Sequence, residues 1–371
     1  MKIGILTFWW TNDNYGQILQ CFALQKFLND LGHDAFLIKY NYTDDVLANS
    51  FIRKCIGALN PIKVLRFLIE KKNNSIIEKE VKENNRHFDD FRNKYLKMTN
   101  TMYSKYTELL QNPPEADMYI VGSDQVWNYS SYSLKRFQNP LHAYFLDFGK
   151  PETKRISYAA SWGKTSITEE YKKEIRPLLQ KFDYVSVREE SGIPICNECG
   201  KNNIDLVCDP TFLLEKEKYR SIYSENNIRK PERPFILLYV LANKYAFNLD
   251  GVYEFAAKKD LEVIYITGNG VVDNRKKFYA TLPEWLWLVD NADYVISNSF
   301  HCAVFSIIFH KKFGIIPLSG IQKEMNSRFD SLFKSCGTGC RYIDNNDYSV
   351  LEEKYDTNLI TVSDKFLRII Q

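Results

Sequence analysis

The residues best suited to chemistry lie where a predicted strand runs into a predicted helix, at Asn298, Ser299 and His301. The stretch YVISNSFHCAVFSIIFHKKFG, residues 294–314, is mainly apolar before and after that junction. A helix N-terminus favours anions because its first backbone N–H groups are unpaired. A histidine there can contact an anion as a cation or act as a general acid or base. The alternative is a structural histidine, which we consider weaker because the chain has only five histidines and this one follows a strand.

A second group of polar residues follows the first predicted strand, at Thr11-Asn12-Asp13-Asn14-Tyr15-Gly16-Gln17. Amide side chains and a glycine at such a junction let backbone N–H groups approach a ligand. Helix capping explains one asparagine but not the whole run. We therefore predict a binding role for this loop.

A third group follows the predicted strand 117–122, where Gly122 is succeeded by Ser123, Asp124, Gln125 and, after Val126, Trp127. This mixture can bind sugar hydroxyls and offer an aromatic face to a pyranose ring. The alternative is an N-cap by Ser123 or Asp124 with Trp127 in the core. For the cluster as a whole, the residue types favour binding.

An arginine ends the predicted strand 184–188, and Asp209-Pro210-Thr211 follows the strand 204–208. The guanidinium of Arg188 suits bidentate capture of phosphate or carboxylate, although an exposed ion pair with the acidic residues after it is the simpler alternative. For Asp209 we predict a turn and a helix cap.

The elements that must position these residues are predicted strands, which alternate with segments whose apolar residues repeat at helical spacing. Strands are predicted at 2–8, 35–40, 117–122, 155–160, 184–188, 204–208, 235–241, 261–267, 293–297 and 313–317, and this alternation is typical of parallel sheets covered by helices. Between the first two, Ile18, Phe22, Leu28 and Leu31 repeat at helical spacing before Gly32.

The chain length and a proline-bearing linker predict two α/β domains. At 371 residues the chain exceeds what one core usually serves, and residues 229–234 read RKPERP. We expect doubly wound, Rossmann-like domains at 1–230 and 231–350 that face each other across a cleft, and a segment 351–371 that packs back on the first. Ligands in such folds bind at the carboxyl ends of strands, where the polar groups above lie.

A helical insertion is expected at about 44–100, and it contains a basic stretch. Residues 53–72 hold six basic residues and one acidic residue, a local net charge of 6 − 1 = +5. A solvated helical face is the simpler interpretation. The alternative is peripheral contact with anionic lipid at the inner face of the cell membrane.

The remaining composition excludes several classes of protein. The net charge of +3 and the absence of nucleic-acid motifs argue against a nucleic-acid partner. The polar residues from Thr11 onward interrupt the apolar N-terminus too early for a signal peptide, so we expect a cytoplasmic protein. The eight cysteines are scattered; a zinc site from the pairs Cys196/Cys199 and Cys336/Cys340 is the alternative to our expectation of no metal.

Six motifs in order resemble the polysaccharide pyruvyl transferase family. They are Asn-Tyr-Gly-x-x-Leu-Gln (14–20), Gly-Ser-Asp-Gln-x-Trp (122–127), Ser-Val-Arg-Glu (186–189), Asp-Pro-Thr (209–211), Ala-Asp-Tyr-Val-Ile-x-x-Ser-Phe-His (292–301) and Asn-Ser-Arg-Phe (326–329). One departure is Cys302, where the family usually has glycine. We expect the larger side chain to narrow the pocket.

The resemblance implies a GT-B-like fold and a defined reaction. The pyruvyl group of phosphoenolpyruvate would be transferred to two hydroxyls of a sugar, in a polysaccharide or its lipid-linked precursor, giving a ketal and phosphate. It implies no cofactor or metal, only the donor and a glycan acceptor. A nucleotide-sugar glycosyltransferase and an inactive binding paralogue are the alternatives.

The resemblance also divides the candidate residues by role. His301 and Asp124 would be catalytic. The donor would be bound by Arg188, His301, Ser299, Asn298 and Arg328. The acceptor would be bound by Asn14, Tyr15, Gly16, Ser123, Gln125 and Trp127.

Overall fold

The computed structural model describes residues 1–41, 75, 77–128, 141–241, 247–268, 271–358 and 362–371. Ten strands lie in this part of the chain, and each coincides with one predicted from the sequence. They are β1 (Lys2–Leu6), β2 (Asp34–Leu37), β3 (Met118–Val121), β4 (Lys154–Ser157), β5 (Ser186–Val187), β6 (Asp205–Leu206), β7 (Phe235–Val240), β8 (Glu262–Thr267), β9 (Tyr294–Ser297) and β10 (Phe313–Ile315).

The described helices cover both faces of the sheets. They are α1 (Tyr15–Asp30), α2 (Phe88–Tyr95), α3 (Tyr106–Gln111), α4 (Leu141–Tyr144), α5 (Glu169–Leu179), α6 (Gly192–Glu198), α7 (Lys216–Ser224), α8 (Asp250–Lys258), α9 (Leu282–Asn291), α10 (Phe300–Ile308), α11 (Ser327–Cys336) and α12 (Asp364–Ile370). Short 3-10 helices span Pro210–Leu213, Gly320–Asn326 and Ser349–Leu351.

Two parallel sheets have the same strand order. The first runs β2-β1-β3-β4, and single bridges from Ile156 to Tyr184 and from Ala160 to Val187 attach the pair β5-β6 beside it. The second runs β10-β9-β7-β8. If its strands are numbered 1 to 4 from β7 and the sheet is read from the β8 edge, this is again the order 2-1-3-4. Every residue of β3 and β7 is buried, as expected for central strands covered on both faces. The predicted α/β class with doubly wound sheets is confirmed.

The strand order fixes where a ligand site can lie. In each sheet the connections from the first and third strands leave in opposite directions, which opens a crevice at their carboxyl ends. The loops after β1 and β3 therefore meet at one edge, and the loops after β7 and β9 meet at the corresponding edge of the second sheet. The loops after β1 and β3 carry Asn14 and Asp124, and the loop after β9 leads into the first turn of α10, which carries His301.

An aromatic contact joins the two halves of the chain. The Tyr15 ring stacks on Trp285 with centroids 5.2 Å apart, and its hydroxyl donates to the Ala280 carbonyl at 2.8 Å. The Tyr239 hydroxyl donates to the carbonyl of Asp13 at 3.2 Å. The carboxyl ends of the two sheets are thereby held face to face.

Several expectations concern segments outside the sheets. Within the predicted insertion, residues 77–83 and α2 are helical, whereas the basic stretch 53–72 lies outside the described residues. Phe366 of α12 packs on Phe27, Tyr158 and Tyr184 of the first half. The division at 230 and 350 into separate domains stays a prediction.

The helix predicted between the first two strands is confirmed, but Leu31 does not belong to its buried face. Helix α1 ends at Asp30, and Leu31 is its C-cap with 47% of its surface exposed, immediately before the left-handed Gly32. Among the described helices, none combines the length and the apolar character that a membrane span requires.

Candidate active site

Helices α1 and α10 begin against each other, one from each half. The Asn14 side chain caps α1 by accepting from the Gln17 N–H at 3.3 Å, and Ser299 caps α10 by accepting from the Cys302 N–H at 3.4 Å. A Cβ atom added to Gly16 would lie only 2.1 Å from Cβ of His301. Only glycine at position 16 allows this approach.

The loop before each helix is fixed by hydrogen bonds. The Asn298 side chain accepts from the Leu241 N–H at 2.9 Å, which ties the loops after β7 and β9 together. The Ser299 N–H donates to the Ser297 hydroxyl at 2.9 Å. The side-chain oxygen of Asn298 and the backbone N–H of Ser299 therefore fix the loop that precedes His301.

Asp209 connects the two halves at the site. Its Oδ2 accepts from the Ser123 hydroxyl at 2.8 Å and from Arg188 Nη1 at 3.1 Å, and it lies 3.3 Å from His301 Nε2 without the alignment of a hydrogen bond. Its Oδ1 accepts from the N–H and hydroxyl of Thr211. We call Ser123, Arg188, Asp209 and His301 the Asp209 cluster.

The environment of Asp209 keeps it ionised. Burial alone raises the pKa of this carboxyl, but the nearby His301 and Arg188 charges and the hydrogen bonds outweigh burial and hold the pKa well below its ordinary value. The predicted cap by Asp209 is correct, since Oδ1 binds the first turn of the 3-10 helix, but its second oxygen has the larger part in the site.

Two buried arginines lie against one aromatic ring. The guanidinium carbon of Arg188 is 4.1 Å from the centroid of Phe300, and that of Arg328 is 5.7 Å from it. Burial and the neighbouring Arg188 lower the pKa of Arg328 to about 10, so it remains a cation at neutral pH. The three cationic residues predicted for the donor are thus neighbours in the structure.

Several polar atoms of this region are buried and have no hydrogen-bond partner. They are Nε and Nη2 of Arg188, Nε2 of His301 and Oε2 of Glu189. Unsatisfied buried polar groups are costly, and in native structures they often mark sites where a ligand or water supplies the missing bonds. Three of the four are nitrogens, and two of these lie near carboxylates: Arg188 Nε is 3.9 Å from Glu189 Oε2, and His301 Nε2 is 3.3 Å from Asp209 Oδ2. Since none of the three makes a hydrogen bond, they suit an anionic ligand if His301 donates from Nε2.

Two carboxylates flank the arginines. Glu189 is fully buried, and its Oε1 accepts from the Ser161 hydroxyl and from the N–H groups of Trp162 and Gly163, at 2.7 to 3.1 Å. Asp124 has a left-handed φ of 79° and accepts from the Gln125 N–H at 2.8 Å. Both carboxylates act on Arg328 by raising its pKa, which partly offsets the effect of burial.

Two residues predicted to bind the acceptor are core residues, and those predictions are wrong. Trp127 is 0% exposed, stacks on Phe145 with centroids 5.3 Å apart and donates its indole N–H to the Tyr144 carbonyl. Tyr15 is also 0% exposed, between Trp285, Tyr239 and Phe88. Neither ring has a free face for a sugar.

The other predicted acceptor residues lie in different settings. Ser123 is inside the Asp209 cluster, where it donates to Asp209 and accepts from Arg188. Gln125 is half-buried, and its side-chain oxygen accepts from Asn128 at 2.8 Å. Asn14 and Gly16 stand at the start of α1, beside His301.

Cys302 does not narrow the site, contrary to the expectation from its size. It is fully buried in the core shared by α10 and β9, next to Ser297, and burial raises the pKa of its thiol to about 12. Among the described residues, no group of three or more His, Cys, Asp or Glu side chains is arranged to hold a metal ion.

Sequence reasoning missed the roles of Asp209 and Glu189. Both belong to the motifs Asp-Pro-Thr and Ser-Val-Arg-Glu, and both directly follow a predicted strand, 204–208 and 184–188 respectively. The strand-end position was the available signal. The contacts could not be read from the sequence because their partners lie 86 and 28 residues away in the chain.

Comparison with known proteins identifies both a family and a fold. A sequence model described as "Polysaccharide pyruvyl transferase" matches residues 14–319. A search of curated proteins finds no match. Among solved structures, Methanocaldococcus jannaschii UDP-GlcNAc 2-epimerase in complex with UDP-GlcNAc and UDP is similar, with a TM-score of 0.51 and 11% identity over 100% of this chain and 99% of that one.

A second solved structure has the same overall arrangement. S. aureus MnaA with UDP has a TM-score of 0.50 and 9% identity, over 96% of this chain and 92% of that one. At such low identity the likeness shows the fold alone. It confirms the predicted GT-B-type architecture.

Proposed function

The chain belongs to the polysaccharide pyruvyl transferase family, and from this premise we propose that it transfers the pyruvyl group of phosphoenolpyruvate to two hydroxyls of a sugar. The products are a pyruvate ketal on a glycan and inorganic phosphate. The acceptor is a sugar of a polysaccharide or of its lipid-linked precursor.

One observation supports the donor assignment above all others. Arg188, Arg328 and His301 surround Phe300, and three buried nitrogens of Arg188 and His301 make no hydrogen bond. Phosphoenolpyruvate carries a phosphate and a carboxylate on a three-carbon body. Charge-assisted hydrogen bonds from these nitrogens would satisfy the site and neutralise the donor together.

The reaction needs two proton transfers, one to carbon and one to phosphate. The first acceptor hydroxyl adds to C2 of the donor while C3 gains a proton and becomes a methyl group. The C2–O bond to phosphate then breaks, and the second hydroxyl adds to C2. The two acceptor hydroxyls lose one proton each. One proton is gained by the methyl group and the other by the released phosphate.

We assign the proton transfers to His301 and Asp124. His301 lies among the donor-binding cations and can deliver the proton to C3 or bind the leaving phosphate. Asp124 lies at the end of β3 near Arg328 and is the candidate base for the acceptor hydroxyls. Asp209 positions His301, Arg188 and Ser123 and keeps its negative charge throughout.

The acceptor would approach from the loop after β1. Asn14, Gly16 and Gln125 remain the candidates for its contacts, with Asn298 and Ser299 shaping the donor side. The described groups of the site are nearly closed to solvent, with Arg188, Arg328 and His301 each at most 7% exposed. Substrates would therefore enter when the two halves move apart.

Phosphate release from phosphoenolpyruvate tests the proposal. The protein is incubated with the donor and a panel of galactosides, mannosides and glucuronides, and products are examined by mass for a pyruvate gained with loss of water. His301→Ala should lower the rate roughly 100-fold or more. His310→Asn changes an exposed histidine just after the same helix and should leave the rate unchanged.

Two outcomes would contradict the proposal. One is release of a nucleoside diphosphate from nucleotide sugars without use of phosphoenolpyruvate, which would indicate a glycosyltransferase. The other is donor binding without ketal formation on any acceptor of the panel, as expected of an inactive paralogue. Membrane contact through residues 53–72 is a separate prediction, tested by flotation with and without anionic lipid.

A further inference from the structure

Phe300 is the neutral side chain at the centre of the three donor-site cations. Its ring centroid is 4.1 Å from the Arg188 guanidinium carbon, 5.7 Å from that of Arg328 and 5.5 Å from the His301 ring. It is 5% exposed. Phe300 thus touches all three groups and cannot itself form a hydrogen bond with any of them.

The kind of partner matters for an arginine that must bind an anion. A carboxylate partner occupies the N–H donors at the edge of the guanidinium, so it competes with an incoming phosphate or carboxylate. An aromatic ring attracts the cation electrostatically and occupies none of those donors. A ring can therefore hold an arginine in place while the guanidinium N–H donors remain available to an incoming anion.

The hydrogen bonds of the two arginines fit this distinction. Arg188 uses Nη1 for Ser123 and Asp209, whereas its Nε and Nη2 are buried and make no hydrogen bond. Its Nε lies 3.9 Å from Oε2 of Glu189, too far for a hydrogen bond. Arg328 donates from Nε to the carbonyl of Met325. Each guanidinium is anchored at one edge by a hydrogen bond and also lies near the Phe300 ring.

The ring also lessens a repulsive contact. Arg328 is buried beside Arg188, and the like charge of Arg188 lowers the pKa of Arg328 in addition to the effect of burial. Asp209 and Glu189 lie beside Arg188, and Glu189 and Asp124 partly offset the repulsion felt by Arg328. Phe300 contacts both guanidinium groups through one rigid side chain with two rotatable bonds.

We propose that Phe300 is a positioning residue that holds Arg188 and Arg328 beside His301 before a ligand binds, so that the N–H donors not used within the protein can bind a compact dianion or trianion. The ligand class is a small molecule bearing phosphate with or without a carboxylate. The identification of that ligand as phosphoenolpyruvate rests on the proposed function.

Calorimetric binding of phosphoenolpyruvate and of inorganic phosphate tests this inference. Phe300→Leu removes the π face and should weaken binding of both anions roughly 10-fold, because two cation–π contacts are lost. Phe300→Tyr keeps the ring and should bind within about 3-fold of the wild type. The matched control is Phe305→Leu, on the same helix, likewise buried and in contact with Tyr219 and Trp285.

Steady-state kinetics separate positioning from general structure. Phe300→Leu should raise the KM for the donor with a much smaller effect on kcat, since His301 and Asp209 keep their contacts. If Phe300→Leu does not fold, Phe300→Met supplies a variant of similar volume without a ring. Thermal melting shows whether Phe300→Leu and Phe305→Leu are destabilised alike.

The outcomes distinguish this inference from the proposed function. Equal anion binding by the wild type and a folded Phe300→Leu or Phe300→Met variant would overturn the role of Phe300. Equal losses in the Phe305→Leu control would assign the effect to packing and overturn it as well. A wild type that binds both anions but forms no ketal would overturn the proposed reaction and leave the comparison of Phe300 variants valid.

Discussion

Replacing Gly16 by alanine tests the close approach of the two helix starts. The added Cβ would lie 2.1 Å from Cβ, 2.2 Å from Cγ and 2.6 Å from Nδ1 of His301. Ordinary contacts of this kind begin near 3.4 Å, so α1 or α10 must move by about 3.4 − 2.1 = 1.3 Å. The contact is with the proposed catalytic residue itself, so the movement changes the geometry of the Asp209 cluster.

The expected effect on activity is larger than the effect on stability. A misplacement of about 1 Å at a catalytic group costs roughly 100-fold in rate. Overpacking costs about 1–3 kcal/mol. With an unfolding entropy of about 2.1 cal/mol/K per residue over 371 residues, this corresponds to a loss of roughly 1–4 °C in Tm.

Phosphate release and thermal melting of Gly16→Ala measure the two effects side by side. Gln17→Ala is the control, because it changes the next residue of the same turn without adding atoms toward His301. Turnover of Gly16→Ala within about 3-fold of the wild type would refute the reasoning, since His301 would then tolerate displacement.

Three further predictions concern the cluster and its surroundings. Asp209→Asn should lower turnover by at least roughly 100-fold and destabilise the fold by about 3–5 kcal/mol, because it leaves Arg188 without its buried partner. The pKa of Asp209 is lowered in the folded state, so its contribution is present above about pH 4 and declines below it; the Tm difference between wild type and Asp209→Asn should accordingly narrow on acidification, and a gap that widens would contradict the assignment. Cys302→Ala should keep turnover within about 3-fold, and iodoacetamide should modify the exposed Cys340 well before the buried Cys302 in the native protein; rapid labelling of Cys302 by peptide mapping would show that it faces the site. Trp127→Phe should lower the Tm while leaving the acceptor KM unchanged, because Trp127 packs in the core; a selective rise in that KM would restore it as a sugar contact.

The sequence was sufficient for the fold because the signal is local. Runs such as FILLYV and MYIV form strands that are buried on both faces, and their lengths and spacing reveal the parallel sheets. The position of the site at strand ends follows from that topology. His301, Arg188 and Arg328 were found in this way, and the structure brings them together.

The roles of the individual site residues could not be predicted, because they depend on contacts between residues that are far apart in the sequence. Trp127 and Tyr15 follow strands as binding residues do, yet both are buried by aromatic partners such as Phe145 and Trp285. Asp209 was predicted to be a helix cap, and one of its oxygens does cap the 3-10 helix Pro210–Leu213. Its other oxygen meets Ser123 only once the first half has folded, and His301 only when the two halves have met.

The structure of the protein with phosphoenolpyruvate bound tests the central claim most directly. We predict that oxygens of the donor lie about 2.7–3.2 Å from Nε or Nη2 of Arg188 and from Nε2 of His301, with Arg328 facing the same anion. A donor bound away from Phe300, with these nitrogens still unpartnered, would contradict the account.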